Sequence, residues 1–268
     1  MARDALMNAM AKPKQIELPN GLIIPILYED RSVLAIDKPP GWMLAPDSWD
    51  KTGRNLQLAL ESSLRAGDFW AASRSLKFLR HIHRLDADTS GILLLARSPG
   101  ALQAFSELFE TRRVEKSYLV VVHARPKESE WTCRLPLEKH PQVVGMMCVD
   151  EFSGKDAETH FRVLQTGTDT ALILAQPTTG RTHQIRVHLA EAGHPVLRDA
   201  LYGPGKITNR KGEPSLALRA FRLAYPDPFQ KRTIRIAAPY AEFVRAHGFD
   251  WKEERRPVGA ESGLGGAG

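Results

Sequence analysis

Apolar and polar residues recur with different periods along this chain, and each period predicts an element. PILYEDRSVLAIDKPPG, residues 25–41, reads as two short strands around Glu29 and Asp30, halted by Pro39-Pro40-Gly41, so a hairpin is expected. LQLALESSLRA from Leu56 repeats its apolar positions at threes and fours, as an amphipathic helix does; so does ALQAFSELFETRR from Ala101, after the break at Ser98-Pro99-Gly100. Strand-like runs follow: ILLLAR (92–97), SYLVVVHA (117–124), VGMMCV (144–149), ETHFRVLQ (158–165), TALILAQ (170–176), SLALRAFRLAY (215–225) and RTIRIAA (232–238). Many successive strands with few helices predict an α+β domain built on a largely antiparallel sheet. A further helix is expected over HQIRVHLAEA, residues 183–192, with Thr182 as N-cap, Gly193 closing it in the left-handed conformation and Pro195 forbidding extension.

Composition narrows the class. The 268 residues are 43% hydrophobic, enough to bury a full core, and no linker or internal repeat divides them. One domain over about residues 21–250 is expected, with residues 1–20 as a flexible lead and 251–268 as a disordered tail. Lys and Arg number 37 against 31 Asp and Glu, a net charge of +6, which favours a polyanionic partner such as RNA. Two cysteines, Cys133 and Cys148, are too few and too far apart for a zinc site or a disulfide framework. No apolar run approaches the roughly 20 residues that span a bilayer, and the N-terminus lacks a secretory apolar segment. A cytoplasmic monomer with no membrane association is the expectation.

The stretch HIHRLDADTSG, residues 81–91, sets acids after Arg84 at the mouth of the apolar run ILLLA. Asp88, ahead of Thr-Ser-Gly, suits a turn that it stabilises itself. Asp86 has no such local role and reads equally as a salt-bridge partner or a reactive group. Two carboxylates without further ligand-spaced partners make a poor metal site, so no metal is expected. On the helix over 183–192, His183 and Arg186 lie three apart and share a face, while Ile185 and Leu189 can face the core. Arg186, among apolar neighbours, calls for a carboxylate or a phosphate. Tyr118, opening a strand of β-branched residues, reads on its own as a core ring with its hydroxyl at the rim.

Taken together, HRLDADTSG, EKSYLVVV and TGRTHQIRVHLAEAGHPVLRDALYG resemble the signature segments of the RluA family of RNA pseudouridine synthases, in order and spacing. LYEDRSVLAIDKPPG resembles that family's entry hairpin, so the likeness runs from about residue 22 to 240. The resemblance implies a mixed, mainly antiparallel sheet with flanking helices and a central RNA-binding cleft, and isomerisation of uridine to pseudouridine in rRNA or tRNA without a cofactor. It implies Asp86 as the catalytic aspartate, Arg186 as its ion-pair partner, Tyr118 as the ring against the uracil and Arg84 as the side chain that helps empty the base stack. It leaves no space ahead of the hairpin for the S4-type RNA-binding domain that some members carry. Two departures stand out: Arg198 occurs where relatives usually have Gly, and Arg219 where they often have His, both expected to add positive charge near the cleft.

The implied chemistry explains the residue types. Breaking the C1′–N1 bond needs a carboxylate that either attacks C1′ or removes the 2′ proton, and both routes are open. Burial would raise an aspartate from about 3.9 by about 3 units, and a nearby guanidinium typically lowers it by about 1 to 3, so an arginine partner keeps it ionised. Extruding the base costs a few kcal/mol, of which stacking on an aromatic ring returns about 1 to 3. Arg181 and His183, at a helix N-terminus, suit phosphate contacts. Two other classes fit the same residues: a hydrolase that releases the nucleobase, and a non-catalytic RNA-binding module.

Overall fold

The entry hairpin forms from β2 (Ile23–Glu29) and β3 (Val33–Lys38), around a turn in which Asp30 Oδ1 accepts the N–H groups of Ser32 and Val33. The computed structural model describes residues 11–44, 54–205 and 215–253. Its other strands are β1 (Gln15–Glu17), β4 (Arg80–His81), β5 (Ser90–Ala96), β6 (Glu115–His123), β7 (Glu130–Cys133), β8 (Leu137–Lys139), β9 (Met147–Val149), β10 (Thr159–Thr166), β11 (Thr170–Pro177), β12 (Leu218–Pro226) and β13 (Thr233–Ala237). The helices are α1 (Leu56–Ala66), α2 (Phe69–Ala72), α3 (Pro99–Glu110), α4 (Gln184–Glu191) and α5 (Ala241–Ala246). The main sheet runs β1-β2-β3-β5-β12-β6-β11-β10-β7, with β4 added to β5 and β13 to β12; β8 and β9 form a separate hairpin. Among the described strands only β5 and β12 pair in parallel, so the sheet is mixed and mainly antiparallel as expected.

The uninterrupted apolar run of β5 follows from burial on both faces. Leu93 and Leu95 point to one side, into a core with Leu34, Ile36, Leu56 and Leu60; Ile92 and Leu94 point to the other, into a core with Val33, Ala35, Phe105 and Leu108. Period-2 alternation thus places α1 and α3 on opposite faces of the same strand. A third core joins β6, β11 and Phe161 to Ile185 and Leu189 of α4, the two residues the helical spacing assigned to it.

Several expectations need correction. Residues 11–20 are not a loose lead: β1 pairs with β2 and buries Ile16 and Leu18, while residues 1–10 lie outside the described residues. Trp251 packs on Tyr240, and Glu253 pairs with Arg222, so 251–253 belong to the fold; 254–268 lie outside the described residues. Ser98-Pro99-Gly100 is the start of α3 and not a break before it: Ser98 caps the helix by accepting from Ala101 N–H, and Pro99 occupies the first turn. Only Met147–Val149 of VGMMCV is strand. The N-cap of α4 is His183, not Thr182, and it lies in the left-handed region at φ 53°.

Candidate active site

A cleft of about 490 Å³ opens where the loop entering β5 meets β6 and the start of α4. Its lining includes Arg84, Asp86, Tyr118, Arg181, His183 and Arg186, so the six residues expected to act on or bind the substrate border one cavity. The sheet register explains part of this convergence. Ala220 of β12 lies opposite both Gly91 of β5 and Tyr118 of β6. Gly91 sits at φ 108°, and a Cβ there would overlap the Ala220 backbone, so only glycine lets these strands approach. The Asp86 loop is thereby brought beside the tyrosine.

Asp86 sits in a turn closed by Thr89 N–H donating to the Asp86 carbonyl, 3.1 Å. The turn is clamped from below by a residue the sequence reasoning passed over. Lys38, fully buried at the end of β3, donates through Nζ to the carbonyls of Pro39 (3.0 Å), Ala87 (2.7 Å) and Thr89 (2.9 Å). Burial brings the lysine down to about 8 against the opposing pull of Asp88 and Asp86. Asp88 itself is exposed. The two flanking histidines are structural: His83 stacks on Phe109 at 4.8 Å and accepts from Leu94 N–H, and burial holds it neutral, down to about 3. His81 contacts Gln57 at 2.9 Å.

Arg186 reaches Asp86 from a point 100 residues further along the chain, with Nη1 3.1 Å from Oδ2. Its Nε–Nη2 edge donates to Asp199, Nε to Oδ2 and Nη2 to Oδ1, both 2.7 Å. Asp199 is fully buried and also accepts the N–H groups of Leu201 and Tyr202. Burial alone would lower Arg186, but its hydrogen bonds to Asp199 and the charges of both carboxylates outweigh that and hold it above its ordinary value. Burial alone would raise Asp199, and Arg186 holds it below the usual carboxylate range. The guanidinium is therefore a permanent charge fixed in plane by one carboxylate and presented to the other.

Tyr118 is half-buried beside Asp86, and burial first, then the Asp86 charge, pushes its hydroxyl above the ordinary value, so it stays protonated at neutral pH. His183 has one ring nitrogen, Nδ1, 2.9 Å from Tyr202 Oη and the other, Nε2, 3.9 Å from Asp86 Oδ2. Its ring thus turns inward to the carboxylate and not outward as a phosphate contact would. Arg181 anchors a neighbouring loop through Nε to the Asp156 carbonyl at 2.9 Å while bordering the cleft, and Arg84 is exposed at its rim. Lys116, donating to the Thr179 carbonyl at 2.7 Å, adds a cation; burial, and then the charge of Arg112, bring it down to about 8.

Neither departure from the family pattern supplies charge to this cavity. Arg219 is buried and pairs with Asp37 at 2.6 Å, and Arg198 is not part of the cleft lining. Arg198 does stand at φ 62°, a left-handed conformation that glycine adopts without strain. Asp199, Lys38, Tyr202 and Lys116 are site residues that the sequence pattern does not single out; Asp199 and Tyr202 lie within RDALYG and Lys116 within EKSYLVVV, two of the segments that carry the family likeness. Among the described residues no group of three or more His, Cys, Asp or Glu side chains is placed to hold a metal, and no helix is long and apolar enough to cross a membrane.

Comparison with known proteins agrees with the geometry. Residues 32–191 match the family model described as RNA pseudouridylate synthase. Ribosomal large subunit pseudouridine synthase C of Vibrio vulnificus is 34% identical over 220 residues, 81% of this chain and 66% of that protein, just under two thirds of its length. The Escherichia coli K12 protein of the same name is 34% identical over 226 residues, 82% of this chain and 67% of the other. Among solved structures, human RNA pseudouridylate synthase domain containing 1 superposes with a TM-score of 0.63 at 27% identity, covering 81% of this chain and 83% of that one.

Proposed function

The chain belongs to the RNA pseudouridylate synthase family, the one its RluA-like segments resemble, and from that premise we propose that it converts particular uridines of RNA to pseudouridine. The observation that carries the proposal is the 3.1 Å contact between Arg186 and Asp86 inside the cleft, which sets an arginine-paired carboxylate where an extruded nucleotide enters. Asp86 acts on the ribose, by attack on C1′ or by removal of the 2′ proton. The C1′–N1 bond breaks, the uracil turns while held, C5 bonds to C1′, and the proton lost from C5 balances the one gained at N1. Tyr118 stacks on the uracil and offsets part of the unstacking cost, about 1 to 3 kcal/mol. Arg84 occupies the space that the base vacates or grips a phosphate, and Arg181 and Lys116 contact the strand on either side.

A nucleobase-releasing hydrolase would share the first step but admit water to C1′, and free uracil in the reaction would identify it. A passive RNA-binding module leaves the Asp199–Arg186–Asp86 array without a task. The names of the relatives point to large-subunit ribosomal RNA as the first substrate to test. Pseudouridine mapping of total RNA from cells with and without the gene tests the proposal. At least one position, expected in large-subunit ribosomal RNA, loses its modification in the deletion strain; identical maps would refute it.

A further inference from the structure

Tyr202 touches Asp199, Arg186 and His183, three of the groups arrayed behind the catalytic carboxylate. Its N–H donates to Asp199 Oδ1 at 3.1 Å, its ring lies under the Arg186 guanidinium at 5.1 Å, and its hydroxyl is 2.9 Å from His183 Nδ1. The same hydroxyl accepts the backbone N–H of Met147, 2.8 Å away on the β8–β9 hairpin. Proton bookkeeping follows from these contacts. With one lone pair of Oη taken by Met147 N–H, the phenolic hydrogen is available to His183 Nδ1, and an imidazole that accepts it there carries its own hydrogen on Nε2. That nitrogen faces Asp86 Oδ2 at 3.9 Å, the oxygen that Arg186 Nη1 also addresses.

His183 is held there against backbone preference. At φ 53° and ψ 16° it lies in the left-handed region, and it caps α4 with no side-chain hydrogen bond to the helix. A non-glycine residue kept in that conformation, with 11% of its side chain exposed, is fixed by its surroundings. Those surroundings include Tyr202 on one side and Asp86 on the other.

We propose that Tyr202 and His183 form a positioning relay for Asp86: the tyrosine, anchored on the β8–β9 hairpin, sets the tautomer and aim of the histidine, and both Arg186 and His183 converge on Oδ2 so that Oδ1 is the oxygen that acts on the ribose. At 3.9 Å the histidine contact is electrostatic and not a hydrogen bond, and it tightens when a nucleotide fills the cleft. His183 is a positioning residue and does not touch the uracil. The proposal deepens the isomerase function and rests on it.

The test uses the full chain, a large-subunit ribosomal RNA transcript tritiated at uridine C5, and enzyme in excess, so that tritium release reads the isomerisation rate of bound RNA. Tyr202→Phe lowers that rate about 10-fold and His183→Ala about 10- to 100-fold, with the RNA Kd within about twofold of wild type. In the His183→Ala background Tyr202→Phe has no further effect, because the tyrosine acts through the histidine. His183→Gln, which keeps an N–H donor near Nε2, recovers part of the loss and replaces the alanine variant in the cycle should that variant not fold. Nitrogen-15 NMR of the RNA-free enzyme finds His183 as the Nε2–H tautomer in wild type and a mixture in Tyr202→Phe. Equal losses from Tyr202→Phe in both backgrounds, weaker RNA binding at an unchanged bound rate, or an Nδ1–H tautomer in wild type would each overturn the relay. Wild-type enzyme that releases no tritium while showing the Nε2–H tautomer would overturn the isomerase function and the relay's role with it, the intact tautomer separating that failure from a failure of the Tyr202–His183 contact itself.

Discussion

Arg186 and Asp199 meet through two parallel hydrogen bonds of 2.7 Å, and this fork, buried on both sides, leaves a single guanidinium edge for Asp86. An Asn at 199 cannot accept from both Nε and Nη2, because one of its two positions becomes a donor, and it no longer balances the arginine. Asp199→Asn is predicted to destabilise the fold by about 3 to 5 kcal/mol, as breaking a buried pair does. Urea denaturation of variant and wild type measures this, and isomerisation is expected to fall with it. Unchanged stability would mean that Asp199 does not hold the arginine.

Lys38 pins the turn that carries Asp86. Replacing it by Met keeps the apolar stem but takes a donor from three carbonyls, those of Pro39, Ala87 and Thr89, of which Ala87 keeps the N–H of Gly41 at 2.9 Å. A loss of about 1 to 3 kcal/mol is predicted for Lys38→Met, and a fall in bound-state turnover larger than any change in RNA affinity. A variant with weakened RNA binding and normal turnover would contradict the clamp.

The pH dependence of RNA binding reads out Lys116. Its value of about 8 in the free protein reflects burial first and Arg112 second. A phosphate bound beside it favours the ammonium and raises that value in the complex. Between the two values binding therefore takes up a proton. Affinity is full below about pH 8 and falls, by at most about tenfold per unit, as pH rises beyond it. Lys116→Arg keeps its charge throughout and is predicted to show the shallower profile. The same slope in both proteins would remove Lys116 from the RNA contacts.

What was legible in the sequence was what depends on neighbours along the chain. The continuous apolar runs of β3 and β5 reported strands, the threes-and-fours spacing of α1 and α3 reported helices, and Gly193 and Pro195 reported the end of α4. β1 escaped because a three-residue strand with one inward side chain, Ile16, is too short to show a period. β7 and β8, of four and three residues, escaped in the same way. The left-handed start of α4 is set by what surrounds His183, so a local N-cap rule placed it one residue early. Asp86, Arg186 and Tyr118 were reached through family likeness, since a contact across 100 residues leaves no local periodicity. Lys38 read only as the approach to a proline stop, although its partners lie up to 51 residues away. The family pattern, in which relatives often have His at this position, led Arg219 to be expected near the cleft; its partner Asp37, 182 residues earlier, neutralises it inside the protein.

Single-turnover isomerisation by Asp86→Asn is the most direct measurement of the central claim, that a carboxylate aimed by Arg186 acts on the ribose of an extruded uridine. The substitution preserves the shape of the side chain and removes its charge and nucleophilicity. The variant is predicted to bind the ribosomal RNA transcript within about threefold of wild type and to form no pseudouridine, a rate lowered by about 10⁴-fold or more. Near-wild-type turnover by Asp86→Asn would contradict the account.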